Sequence, residues 1–360
     1  MSQPSKPFLL FDDFQKGKGE ALALTPEGYL TLNPEAWQLC PRRPIDLEEP
    51  YYCGRWTSPV VEVPFEEAIA SWEAVTPPGT WVEILFQART VEGWTGWYSM
   101  GLWHDGGGPF PRTSLPWQGD AFGRVETDTL ILFKEADALR LQAMLYTADP
   151  SSRPLLRQVA VTFAPPLHQR TASLLPAARS PILLEVPPRS QMVYPDGGEA
   201  WCSPTSTSMV MAYWAKKKKE PRWDLPVPEV VKGVWDEAYG GAGNWSFNTA
   251  FAASLGLSAQ VARFSSLDEL EAWIRAGIPA VISAAWREGE LPGAPISRTG
   301  GHLLVVRGFD EVGDVLALDP AGATDEEVPR TYPRSILERL WLRHSKGTAY
   351  LIYPPDWRTP

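Results

Sequence analysis

The sequence predicts an all-β sandwich of the jelly-roll kind over residues 1–165 and an α+β unit over residues 185–360, joined by a Pro-rich connector at 166–184. Three observations lead there. A chain of 360 residues is longer than one ordinary domain and can build two separate cores. The first half is a series of short apolar runs broken by Gly, Pro, Asp and Ser clusters, without a sustained helical period. Beyond residue 190, helical and strand patterns alternate.

The strand runs of the first half fall at residues 28–32, 59–63, 80–88, 128–133 and 138–146, each alternating or continuously apolar and each bounded by turn formers. Many short strands of this kind suit two packed antiparallel sheets. Prolines 165, 166, 176, 181, 187 and 188 then crowd among polar residues, which marks an extended connector. In the second half a helix is expected over 203–219, with Pro204 suited to its first turn. Another is expected over 248–255, closing at Gly256, and a third over 267–276, capped by Ser265 or Ser266 and stopped by Gly277. Residues 279–285 form a buried strand, 302–309 and 314–319 form a hairpin around the turn 310–313, and 349–353 form a last strand.

Charge narrows the function. A net charge of −10 and a pI near 5.1 argue against nucleic-acid binding, which needs a basic stripe to displace counterions. The one basic run, Lys216–Lys219, reads as a solvated helix C-terminus facing the negative end of the dipole. No apolar stretch reaches the length of a membrane span. Only four apolar residues, Phe8 to Phe11, follow the polar N-terminus, too few for a signal peptide, so the expected compartment is the cytoplasm, or the exterior if an export signal precedes this sequence. Three cysteines without a CxxC pair suggest neither a disulfide scaffold nor zinc. Cys40 and Cys53 could pair in an oxidising compartment, but without an export signal they are expected to be reduced and simply packed. No HExxH or clustered His and carboxylate spacing appears, so no metal or other cofactor is expected.

The third cysteine is placed differently. Cys202 stands at the start of the 203–219 helix, where free N–H groups and the positive dipole end favour the thiolate, the nucleophilic form. A buried, inert cysteine is the plainer alternative. Of the four histidines, His104, His168 and His344 read as surface residues. His302 follows Gly300-Gly301 and opens a strongly apolar strand, where a polar ring needs a partner. Counting around the hairpin sets Asp319 nearly opposite it, able to accept from the imidazole N–H and fix its tautomer. Asp310 and Asp314 sit at the far end. Gln191, shortly upstream of Cys202, can join the Cys202 N–H in stabilising an oxyanion. Singly, Asp319 could be an ordinary Asp-Pro turn and Gln191 would mean nothing.

Taken together, Gln191, Trp201-Cys202-Ser203-Pro204-Thr205-Ser206, Gly301-His302 and Asp319-Pro320 resemble the cysteine peptidase family of bacteriocin-processing peptidases and their stand-alone relatives, family thirty-nine. The resemblance covers residues 185–355. Gly243-Asn244-Trp245 and Gly277-Ile278-Pro279 match the stand-alone branch, and the preceding sandwich is similar to one found in some bacterial members. The resemblance implies a papain-like fold, with Cys202 as nucleophile, His302 as base, Asp319 as orienting carboxylate and Gln191 as oxyanion donor. Asn244 and Trp245 become candidates for a substrate-binding wall. Ser203 departs from the usual glycine, yet it is small enough to leave the geometry intact. The expected partner is a peptide or amide substrate cleaved by hydrolysis. Acyl transfer of the transglutaminase kind uses the same groups. A silent carbohydrate-binding protein is the third reading, fed by eight of the 17 tryptophans falling in the first half, where Trp94, Trp97, Tyr98, Trp103, His104 and Asp105 are the best candidates for contact with a glycan or cell-wall polymer.

Overall fold

The computed structural model describes residues 7–36, 38–41, 44–164 and 180–360, so most of the predicted connector, and His168 with it, lies outside the described residues. The chain mixes strands and helices in two compact units. One comprises the described residues within Phe8–Gln169 and Trp235–Ala250, the other those within Met1–Pro7, Arg170–Val234 and Phe251–Pro360.

The first unit is dominated by β-structure. Its described strands form a single hydrogen-bonded network of 13, rather than the two separate sheets of the expected sandwich. The cause is one long strand, Thr129–Thr147, which changes partner along both edges. On one edge it pairs first with Val61–Val75 and then with Tyr52–Thr57; on the other, first with Gly123–Glu126 and then with Thr80–Thr90. Two of the runs read from sequence, 128–133 and 138–146, are the two halves of this strand. Exposed Lys134 and Glu135 between them occupy a register irregularity, not a turn. Thr80–Thr90 is buried along nearly its whole length, so its tryptophan and its glutamate are both interior. Trp81 stacks on Tyr146 with ring centroids 5.1 Å apart, and the Tyr146 hydroxyl donates to Glu83 at 2.6 Å.

Cys40 and Cys53 lie in this same cluster as a disulfide, their Cα atoms 5.2 Å apart, which corrects the expectation that both are reduced. Backbone pairing brings them together: Gln38 and Leu39 pair with Cys53 and Tyr52, and the Cys40 N–H donates to Tyr51 O.

The unit is not purely β either. Residues 235–250 fold into it although the sequence reading assigned them to the second half. Asp236 accepts from both the N–H and the hydroxyl of Ser114, and Glu237 N–H donates to Arg112 O. Ser246 donates to Ala70 O, and Phe247 inserts its ring beside Trp72 and Trp103.

The second unit carries an antiparallel sheet in the order Ser258–Arg263, Thr348–Tyr353, Ala280–Trp286, Thr299–Phe309, Val315–Leu318, Pro329–Tyr332, with Ile182–Leu183 pairing at the end of Thr299–Phe309. Its helices are α1 (Cys202–Lys218), α2 (Val227–Val234), the end of α3 (Trp245–Ser254), α4 (Leu267–Arg275) and α5 (Arg334–Ser345). α1 is buried from Ser203 to Ala215 and lies against Thr299–Phe309, the strand that carries His302. It ends at Lys219 in the left-handed conformation, with lysines in its last turn complementing the dipole. Ser266 caps α4 by accepting from the Glu269 N–H. α2, α5 and the strands at 258–263 and 329–332 are elements that the sequence reading did not foresee.

Candidate active site

Cys202 is the first residue of α1 and the one free cysteine among the described residues, partly exposed while Ser203 to Ala215 behind it are buried. Two contacts hold α1 to the sheet just past it. Ser203 Oγ shares a hydrogen bond of 2.9 Å with the Tyr350 hydroxyl, and Ser206 Oγ donates to Leu303 O at 3.3 Å. The serine that replaces the usual glycine is therefore an anchor.

His302 sits on Thr299–Phe309 opposite Ala284, just before the register shifts between Ala284 and Trp286. Its Nε2 is 2.7 Å from Asp319 Oδ1, which leaves Nδ1 for the Cys202 thiol, and the ring does share a hydrogen bond with that thiol. Asp319 lies just past Val315–Leu318, fully buried. Its Oδ1 also accepts from the Ala321 N–H at 3.0 Å, and its Oδ2 from the Tyr332 hydroxyl at 2.7 Å. The Trp286 ring meets His302 edge-on at 5.6 Å and donates its own N–H to Ile296 O. It thus covers the imidazole without competing for its nitrogens. Neither Tyr332 nor Trp286 was singled out from sequence, because a tyrosine and a tryptophan on apolar strands look like core.

The electrostatics follow from these contacts. Burial penalises the Cys202 thiolate, but the hydrogen bond and charge of His302, with the backbone N–H groups of Leu303 and Ser203, outweigh it and lower the thiol pKa. Burial likewise opposes the imidazolium, yet the Asp319 carboxylate beside it and the thiolate raise His302 to about 10. Asp319 is disfavoured by burial as well, and is held below the ordinary carboxylate range by the His302 charge and hydrogen bond and then by Tyr332 and Ala321. These three groups therefore favour one another's ionised forms.

Gln191 is buried next to Asp319's loop, its N–H donating to Pro320 O at 2.8 Å. Its side-chain Nε2 donates one proton to Gly198 O at 2.8 Å, which aims the amide and leaves a second N–H. Gly198 must be a glycine, since a Cβ there would come within 2.1 Å of Gln191 O.

Asn244 is fully buried in the first unit, with its amide donating to Asp236 Oδ2 and its Oδ1 accepting from the Phe247 N–H. That is the work of a helix cap. Trp245 belongs to the same unit, its N–H bound to Asp128. Of the glycan candidates, Trp103, Tyr98 and His104 are buried. His104, read as a surface residue, shares a 2.6 Å hydrogen bond with Phe110 O and accepts from Gly106 and Gly108 N–H groups. Trp94 and Trp97 are half-buried and already stacked on the Arg140 guanidinium, at 4.6 and 5.4 Å. Among the described residues no group of three or more His, Cys, Asp or Glu side chains could hold a metal, and no helix is long and apolar enough to cross a membrane.

With this geometry in view, the comparisons are specific. Residues 183–349 match the model of the Peptidase_C39 like family, and residues 8–164 that of the Peptidase C39 N-terminal domain. Over these residues the chain is similar to the Peptidase_C39 like family. Every candidate residue from Gln191 to Asp319 lies within the matched residues 183–349, Asn244 and Trp245 included. A solved candidate C39-like peptidase from Bacillus anthracis is 17% identical and aligns over 51% of this chain and 100% of its own, with a TM-score of 0.32. TmCBM61, solved with beta-1,4-galactotriose, is 10% identical over 44% of this chain and 88% of its own, with a TM-score of 0.21. A family two carbohydrate esterase from Cellvibrio japonicus is 10% identical over 48% of this chain and 36% of its own, with a TM-score of 0.19. No curated protein matches significantly.

Proposed function

We propose that the C39-like domain is a papain-like cysteine hydrolase that cleaves a peptide or amide bond, with Cys202 as nucleophile, His302 as general base and acid, Asp319 as the orienting carboxylate and Gln191 as an oxyanion donor. The observation that carries this reading is the chain of buried hydrogen bonds from Cys202 through His302 to Asp319. In the reaction the Cys202 thiolate attacks the carbonyl carbon, and negative charge builds on the substrate oxygen. The Cys202 N–H and the free Nε2–H of Gln191 receive that charge. His302 Nδ1 gives its proton to the departing nitrogen as the C–N bond breaks, leaving a thioester on Cys202. Water then attacks the thioester, His302 takes its proton, and the acid leaves with the thiolate restored. Asp319, accepting from Nε2–H throughout, keeps the proton traffic on Nδ1.

The test is a pH series of iodoacetamide labelling, resolved by mass spectrometry, on the parent and on His302→Ala, Asp319→Ala and Gln191→Ala, beside cleavage of a casein-derived peptide mixture. The parent Cys202 should label well below the pH at which a free thiol of pKa ~8.5 becomes reactive. His302→Ala should move labelling upward and abolish cleavage, while Gln191→Ala should spare labelling and slow cleavage. Labelling of Cys202 no faster than a free thiol, unaltered by His302→Ala, would overturn the mechanism. An added amine that diverts the product to an amide would turn the reading toward acyl transfer. A glycan or wall-polymer contact for the first unit is proposed beside this, resting on Trp117, whose side chain is 99% exposed at a left-handed φ of 60°. Loss of polymer pull-down in Trp117→Ala tests it.

A further inference from the structure

We infer that the open end of one sheet face in the first unit binds a carboxylate-bearing glycan through Arg140, which gives the glycan contact proposed above a chemical class and a binding residue. The strands Thr80–Thr90 and Thr129–Thr147 pair antiparallel, so alternate residues share a face. One face sets Val82, Ile84, Phe86 and Ala88 against Leu145, Ala143, Leu141 and Leu139, all fully buried. The other sets Trp81, Glu83, Leu85, Gln87 and Arg89 against Tyr146, Met144, Gln142, Arg140 and Ala138. This second face changes character along its length. At one end Trp81, Leu85, Met144 and Tyr146 are covered by the cluster that holds Tyr51 and the disulfide. At the other, Arg89, Arg140 and Gln142 are part-exposed. Two half-buried tryptophans join them there: Trp94 pairs with Arg89, and Tyr98, paired with Phe86, sets Trp97 beside Gln87.

Arg140 is built into this open end without a counter-charge. Its guanidinium lies 4.6 Å from the Trp94 ring centroid and 5.4 Å from that of Trp97, and its Nε donates to Gln87 Oε1 at 2.7 Å. Gln87 is itself buried, and its Nε2 donates to Thr95 O at 2.6 Å, which fixes Oε1 toward the arginine. The planar group is therefore held by a buried amide at one edge and by indoles at its face. Arg89 takes both neighbouring carboxylates, Glu62 and Asp137. Arg140 forms no ion pair with a described residue, and its two terminal nitrogens keep their N–H groups. The indole N–H groups of Trp94 and Trp97 likewise donate to no described residue.

Chemistry selects the ligand. The groups left unfilled by the arginine and the indoles are donors alone, and one of them is charged. A carboxylate matches a fixed guanidinium edge by accepting two parallel N–H bonds. A chain of net charge −10 repels polyanions at long range, so binding has to come from this local fork rather than from a general attraction. Sugar hydroxyls accept from indole N–H groups, and sugar C–H faces lie on aromatic surface, which an acidic peptide backbone does not match. Trp117 supplies such a surface nearby in the chain's pairing. It precedes Gln118, whose Oε1 accepts from the Ser99 N–H at 2.7 Å and whose Nε2 donates to Ser99 O at 2.8 Å, two residues along from Trp97. A uronic-acid polymer combines the carboxylate with the sugar ring.

The test is isothermal titration calorimetry on the full chain with three soluble probes: polygalacturonate, the same polymer with its carboxylates methyl-esterified, and poly-glutamate. The parent should bind polygalacturonate, and the other two about tenfold more weakly or not at all. Arg140→Gln should raise the Kd for polygalacturonate about tenfold, the loss of one charge-assisted contact. Arg140→Lys, which keeps the charge and the stem over the indoles but not the fork, should lose most of the same affinity and so separates the fork from packing. Both variants should melt close to the parent, since the residue is part-exposed and unpaired. Arg140→Gln that binds polygalacturonate like the parent would overturn the inference. Esterified polymer bound as tightly as polygalacturonate, and lost in Trp117→Ala but not in Arg140→Gln, would overturn it while leaving the glycan contact in place. Poly-glutamate bound as tightly as polygalacturonate would also overturn it, because carboxylates alone would then suffice. A parent that binds neither polysaccharide would overturn the inference and the glycan contact together.

Discussion

Tyr332→Phe removes a single oxygen from the most buried part of the candidate site, and its consequences can be worked through from Asp319. That carboxylate is fully buried and accepts three hydrogen bonds, from His302, Ala321 and Tyr332. Deleting the Tyr332 hydroxyl leaves the ring's packing intact and takes away one charge-assisted bond of 2.7 Å, worth about 1.5–3 kcal/mol for an ionised acceptor. For a unit of this size each kcal/mol moves the melting temperature by about 2–4 °C, so a fall of about 3–12 °C is expected. The effect should depend on pH. Burial raises the Asp319 pKa, and the contacts with His302, then Tyr332 and Ala321, bring it below the ordinary value. A carboxylate with a depressed folded-state pKa contributes stability that is present above its unfolded pKa, about 3.9, and lost as pH falls through the folded value. Without Tyr332 the depression is smaller, so the variant should lose stability at a higher pH during acidification. At very low pH, where Asp319 is protonated in both proteins, the difference should shrink. The assay is urea unfolding at a series of pH values on the parent and Tyr332→Phe, with peptide cleavage measured in parallel. Tyr332 acts through Asp319, so cleavage should slow while rapid labelling of Cys202 largely survives. A stability change below about 0.5 kcal/mol at neutral pH, the size of an ordinary surface substitution, with no pH dependence, would refute the reasoning.

Two further outcomes follow from other contacts. The Cys40–Cys53 disulfide closes a loop with a sequence separation of 13, for which chain entropy gives a stabilisation of about 3 kcal/mol. Cys40→Ala/Cys53→Ala should therefore melt several degrees lower in its first unit and respond no further to reductant, and unreduced parent protein should take up iodoacetamide at Cys202 alone; labelling of all three cysteines without reductant would dismiss the disulfide. The pH dependence of the ion pair has the opposite sign on its basic side: burial works against the imidazolium, Asp319 prevails, and the raised His302 pKa adds stability that is complete below the unfolded value near 6.5 and lost as pH rises through about 10. Thermal unfolding between pH 6 and 11 should show that loss in the parent and not in His302→Ala, and identical alkaline limbs would count against it.

What was legible in the fold was whatever is local. The start of α1, the Ser266 cap and the hairpin between Thr299–Phe309 and Val315–Leu318 are each written in a few consecutive residues, and each is found. Long-range choices were hidden. A pair of exposed charges, Lys134 and Glu135, looks like a turn whether the chain reverses there or merely slips register, and only the partners on both edges of Thr129–Thr147 distinguish the two. The disulfide was hidden for a related reason. Two cysteines among three, with no CxxC spacing, say nothing until the pairing of Gln38 and Leu39 with Cys53 and Tyr52 sets their Cα atoms 5.2 Å apart. The same holds for residues 235–250. Their composition resembles that of the residues around them, while their attachment depends on Asp236 meeting Ser114 and on Phe247 finding two tryptophans.

The candidate site divides along the same line. Counting around a hairpin is enough to put Asp319 beside His302, because register within a hairpin is set by its turn, and the two are 2.7 Å apart. The residues that tune the pair are not reachable by counting. Tyr332 comes from the strand beyond Asp319's own, and Trp286 from the strand on the other side of His302, so each reaches the site through sheet order. Tyrosine and tryptophan on apolar strands also carry no mark that separates a hydrogen-bonding task from packing. Asn244 shows how a structural task accompanies a motif residue. It was singled out through resemblance, but an asparagine one residue before a helix is first of all a cap, and its side chain donates to Asp236 and accepts from the Phe247 N–H. A polar side chain found near a motif is therefore weighed by asking which of its hydrogen-bonding positions remain unfilled. By that measure Gln191, with one N–H of its side chain to spare, remains a candidate oxyanion donor.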